Sequence, residues 1–153
     1  MQAAIRNYEG LVLQYVGDEI EAVFGVPLKA ADHADRAVQA AMDMRRNLEE
    51  LNSRRVLLGK TPFRHGIGIH TGPVLAGNTG SEDRLSYALI GDTVNLGSRL
   101  EGANKVFGTF TMVSEETWSR TGGELPGREI GLLRVVGRKT PVRVYELVGP
   151  SSA

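Results

Sequence analysis

The sequence predicts an α+β domain, an antiparallel-rich sheet with helices packed on one face. Three observations predict it. Ala34, Ala37, Val38, Ala41, Met44, Leu48 and Leu51 recur at spacings of three and four, the period of an amphipathic helix. Short apolar or β-branched runs surround that helix and join their neighbours through turn residues. Helices and hairpins do not follow the regular βαβα rhythm of a doubly wound parallel sheet.

Taken in order, Met1 to Tyr8 carries Ala3, Ala4, Ile5 and Tyr8 at helical spacing, and Gly10 provides a stop. Leu11–Val16 and Ile20–Phe24 are apolar runs flanking Gly17-Asp18-Glu19, which reads as a hairpin with Asp18 at its tip. Gly and Asp are ordinary turn residues, yet a carboxylate on a rigid tip also suits a hard cation such as Mg²⁺. Pro27 closes this unit. Asp32 is the expected N-cap of the long helix, with Asp35 in its first turn and the helix running to Arg55. Pro62 restarts the chain as strand, with Phe63–His70 and Pro73–Ala76 expected to be extended and Thr79–Ser86 a polar loop.

Tyr87–Ile90 is a further strand, and Gly91-Asp92 leads into an amphipathic helix from Thr93 to about Lys105. Thr109–Val113 is strand-like. Ser114 caps a short helix holding Thr117 and Trp118. Thr121–Gly127 is expected to be loop. Ile130–Val136 and Val142–Val148 form a last hairpin around Gly137-Arg138-Lys139-Thr140-Pro141. Residues 1–148 thus make one domain, followed by a frayed tail from Gly149.

Eighteen basic and eighteen acidic residues cancel, and aromatic residues make up 6% of the chain. Neither supports a nucleic-acid binder or a polybasic membrane surface. The chain has no cysteine, which excludes disulfides and thiolate chemistry and allows a cytoplasmic setting. Two stretches imitate a phosphate loop and fail: Gly59-Lys60-Thr61 has Arg54 where the first glycine belongs, and Gly72–Thr79 has Asn78 for the lysine. His33, His65 and His70 lack metal-ligand spacing and read as structural.

The central stretch, Tyr87 to Arg99, reads YALIGDTVNLGSR. Asn95 and Arg99 are four apart, so a helix puts them on one face. An amide and a permanent cation one turn apart suit a sugar-phosphate: the amide for a ribose oxygen, the guanidinium for phosphate. The same spacing also fits the polar face of an ordinary surface helix.

Three runs, YVGDEIEAVFGVP, GIGIHTGPVLAGNTGSEDRLSYALIGDTVNLGSRLE and VVGRKTPVRVYEL, are collinear over Ala3–Val148. Together they resemble the catalytic domain of class III nucleotide cyclases, the adenylate and guanylate cyclases. The resemblance implies a ferredoxin-like βαββαβ fold, a homodimer with sites at its interface, and fused sensor or regulatory domains in the parent protein. It implies conversion of ATP or GTP to the 3′,5′-cyclic nucleotide and pyrophosphate with two Mg²⁺ or Mn²⁺ ions. By that resemblance Asp18 is a metal ligand, Asn95 orients the ribose, Arg99 stabilises charge at the α-phosphate, and Arg138 binds the terminal phosphates. Gln14 and Ala88 fall on the base-reading positions. A glutamine amide pairs with either purine edge, and alanine offers no hydrogen bond. The family's opening strand, which reads like Phe-x-Asp-Ile and carries the other metal aspartate, is absent from residues 1–153. The expectation is therefore a truncated or degenerate member with a disturbed pairing at that place in the sheet.

Overall fold

The computed structural model describes residues 1–79, 86–122 and 125–149, with 75–79 and 86–90 described through their backbone. The chain runs α1 (Gln2–Asn7), β1 (Leu11–Val16), β2 (Glu19–Val23), α2 (His33–Leu57), β3 (Ile67–Ile69), β4 (Leu75–Thr79), β5 (Ser86–Ile90), α3 (Asp92–Phe107), β6 (Thr111–Ser114), α4 (Glu115–Arg120), β7 (Gly127–Leu133) and β8 (Val142–Leu147). The α+β class and the order of elements match expectation.

The strands fall into three hydrogen-bonded groups: a four-stranded sheet β3-β6-β8-β7, the hairpin β1-β2 and the hairpin β4-β5. Within the sheet β3 and β6 are parallel, whereas β6-β8 and β7-β8 are antiparallel. Among the described residues β3 is an edge, bonded to β6 alone.

The helices do not share one face of the sheet. Met112 of β6 packs with Leu96 and Leu100 of α3 and with Val142 and Val144 of β8. Its neighbour Val113 packs with Val38 of α2 and Leu147, beside Trp118 of α4. Successive strand residues point to opposite faces, so α3 covers one side of the sheet and α2 with α4 the other. Every residue of β6 is buried as a result.

Local differences have local causes. Asp32 precedes α2 but makes no side-chain cap; its carboxylate pairs with Arg36 at 3.0 Å. Phe63–Gly66 is not strand. Asn52 of α2 holds Phe63 by both main-chain groups, accepting from its N–H at 2.8 Å and donating to its C=O at 2.7 Å, so the chain follows the helix before β3 begins. Ala34, Val38, Ala40 and Ala41 are buried, but Leu51, farther along α2, is exposed. The 75–79 strand starts later and runs longer than Pro73–Ala76. β7 starts earlier, at Gly127, and stops at Leu133, which leaves 134–141 as an irregular loop. The rest of the expected loop at Thr79–Ser86, residues 80–85, lies outside the described residues.

Candidate active site

The site is built on the outer face of α3. Thr93 donates to the Pro73 carbonyl at 2.6 Å, which ties the start of α3 to the loop after β3. Asn104 anchors the other end: its amide donates to Ile67 O at 3.0 Å, and its oxygen accepts from the buried Thr109 hydroxyl at 2.7 Å. With Leu96, Leu100 and Asn104 turned inward, Asp92, Asn95 and Arg99 are left exposed along one stripe.

The 134–141 loop lies against this stripe. The Arg99 guanidinium donates to the Val136 carbonyl. Arg138 N–H donates to Val135 O at 3.1 Å, closing a turn in which Gly137 has φ +87°, a conformation costly for any residue with a Cβ. The Arg138 side chain then reaches back to α3, its Nε 3.4 Å from Asp92 Oδ2. Two adjoining cavities of about 430 and about 380 Å³ share Asp92, Glu116 and Arg138 in their walls.

His70 forms part of the second wall. Its side chain is 6% exposed. Nδ1 lies 2.7 Å from Ser114 Oγ, and Glu116 is 3.9 Å away. Burial pushes its pKa below the ordinary histidine value; Glu116 opposes this shift and Arg138 reinforces it. The Thr71 and Thr117 hydroxyls, 2.9 Å apart, continue the network behind the ring.

The structure therefore brings three of the six expected site residues, Asn95, Arg99 and Arg138, to one side of the molecule. Asp18 and Gln14 are on the β1-β2 hairpin. Asp18 is exposed at the turn, and the Gln14 amide donates to Glu21, its neighbour across the hairpin. No hydrogen bond or ion pair among the described residues joins this hairpin to Asn95, Arg99 or Arg138. Its charge is felt farther along α3: burial, then the Glu19 carboxylate, with Asp18 adding to them, raises the Glu101 pKa against the opposing Lys105. Ala88 stands opposite Gly77 in the β4-β5 hairpin; its side chain lies outside the described residues. Among the described residues no three His, Asp or Glu side chains group to hold a metal ion. Asp18, the one expected metal aspartate among residues 1–153, does not by itself make a two-metal site.

Asp92, Glu116 and His70 were not singled out for the site from the sequence. Asp92 carried a usable signal, since an acid opening a helix two turns before Arg99 shares its face. His70 and Glu116 carried none, because they meet only through β6.

The family model described as the adenylate and guanylate cyclase catalytic domain matches residues 1–147. The chain belongs to that family. Adenylate cyclase 1 of Rhizobium meliloti (strain 1021) is 36% identical over 145 residues, covering 95% of this chain and 22% of that protein. The crystal structure of the adenylyl cyclase CyaB from P. aeruginosa superposes with a TM-score of 0.84 at 30% identity, over 99% of this chain and 78% of that one. The crystal structure of the guanylyl cyclase Cya2 gives 0.81 at 32% identity, over 99% and 76%. The cyclase domain described here thus spans less than a quarter of the Rhizobium protein. All six expected site residues fall within its matched region.

Proposed function

We propose that this domain cyclises a purine nucleoside triphosphate, ATP with GTP as the alternative, in a homodimer whose active sites lie at the subunit interface. The supporting observation is the convergence of Arg99 and Arg138 on α3, where Asn95 shares the Arg99 face. In the reaction the ribose 3′-oxygen bonds to the α-phosphorus, the α–β phosphoanhydride breaks, pyrophosphate leaves, and the 3′-hydroxyl proton passes to solvent. Asn95 orients the ribose by hydrogen bonding. Arg99 meets the charge that grows on the α-phosphate, and Arg138 holds the departing phosphates. Gln14 and Ala88 are assigned to the base.

Asp18 is assigned as one ligand for Mg²⁺ or Mn²⁺; the other carboxylate of the expected pair is not among residues 1–153. The pairing of β3 on one side only, with β1-β2 bonded apart from it, supports the reading that a strand belongs between them. Val106, on the Asn95–Arg99 face of α3, is 82% exposed, and Val136 beside Arg99 is 84% exposed. Apolar side chains at these places support a covering second subunit. We assign the domain to the cytoplasm and expect sensor or regulatory segments elsewhere in the parent protein.

The test is cyclic-nucleotide formation by the longest natural protein containing this domain, with ATP or GTP and Mn²⁺. Product from either nucleotide is expected; none from both overturns the proposal. The presence of Asp18 alone from the expected pair of metal aspartates favours a second reading, a regulatory dimerisation module, whose signature is nucleotide binding without turnover.

A further inference from the structure

We infer that Asp92 is a positioning residue for Arg138, aiming its guanidinium into the cavity where the terminal phosphates are met. The inference rests on the assignment of Arg138 to those phosphates. A guanidinium has five donors on a rigid fork. Asp92 faces the Nε edge at 3.4 Å, and among the described residues no hydrogen bond or ion pair takes up the two terminal nitrogens. Arg138 lines both adjoining cavities. Its main chain is already held, by the turn that its N–H closes on Val135 and by the Arg99 bond to Val136. The remaining freedom is in the side chain, and Asp92 is its ion-pair partner. The pair is wet, with Asp92 63% and Arg138 31% exposed in their side chains. An ion pair so exposed adds little to folding. Its consequence is directional: a long flexible cation is held with its free fork toward the site. Glu116, the other carboxylate shared by the two walls, stands beside His70.

The experiment uses the full-length protein and two readouts: calorimetric binding of tripolyphosphate, and steady-state turnover. Asp92→Asn is expected to weaken tripolyphosphate binding about tenfold and raise KM similarly, with kcat within about twofold. Asp92→Glu, which keeps the charge, restores most of the binding. In an Arg138→Ala background Asp92→Asn has no further effect on binding. Equal losses in the two backgrounds, unchanged binding by Asp92→Asn, or a wild type that does not bind tripolyphosphate each overturn the inference. A wild type that binds tripolyphosphate through Arg138 but forms no cyclic product removes the cyclase proposal alone; the binding arms still decide the role of Asp92. Should Asp92→Asn lower thermal stability through the helix start, the comparison of Asp92→Glu with wild type in both Arg138 backgrounds decides.

Discussion

At position 68 of β3 a methyl group would lie 2.3 Å from the Glu101 nitrogen and 2.4 Å from the Gly97 carbonyl oxygen. Both neighbours are backbone, so neither can swing aside, and α3 crosses the strand at contact distance because the strand residue at the crossing is glycine. Gly68→Ala is expected to destabilise the domain by about 1–3 kcal/mol, the usual cost of overpacking, with a matching fall in the urea midpoint. A neutral result would mean that α3 shifts freely, and the stripe carrying Asn95 and Arg99 would then be poorly located. The glycines of this segment were legible as a sign of close backbone approach. What approaches was not, since the partner lies about thirty residues away in sequence.

Among the elements, α4 shows how a helix can depend on a single side chain. It is 6 residues long, under two turns and too short to persist alone. Ser114, fully buried, accepts from Thr117 N–H at 3.4 Å and also meets His70 Nδ1. Ser114→Ala removes the cap and strips a buried ring nitrogen of its partner. The expected loss is about 1–2 kcal/mol in chemical denaturation, largely recovered by Ser114→Thr if the γ-methyl is accommodated. The cap itself was readable from Ser114 and the helix after it. The second use of the hydroxyl was not, because His70 lies just after a different strand of the sheet, β3. α2 teaches the converse: its heptad-like spacing established a helix, but periodicity alone could not show that Leu51 would stay exposed.

For the whole molecule, two buried histidines set a pH response. Both nitrogens of His65 are buried without a partner among the described residues. Burial, then Arg45 and the N-terminal amine, holds His65 below its ordinary pKa. Burial lowers His70 as well, with Glu116 and Asp92 pulling upward and Arg138 downward. The folded state therefore resists protonation that the unfolded chain accepts near pH 6.5. Stability present above that pH is lost as pH falls from about 6.5 toward the lower folded values. Urea midpoints are expected to decline from pH 7.5 to pH 5.5, and His70→Gln should make the decline shallower. A midpoint independent of pH across that range would contradict the burial of these rings.

Local periodicity and turn chemistry were enough to establish the elements, the shared face of Asn95 and Arg99, the Asp18 hairpin and the α+β class, because each depends on neighbours within a few residues. The three collinear motifs carried the family. Tertiary structure alone decided that β3 runs parallel to β6, that α2 and α3 cover opposite faces, and that the 134–141 loop lies along α3. Those outcomes rest on contacts between segments about forty residues apart, such as Arg99 with Val136 and Arg138 with Asp92. Packing of the buried sheet selects such partners, and no pattern within either segment encodes the other.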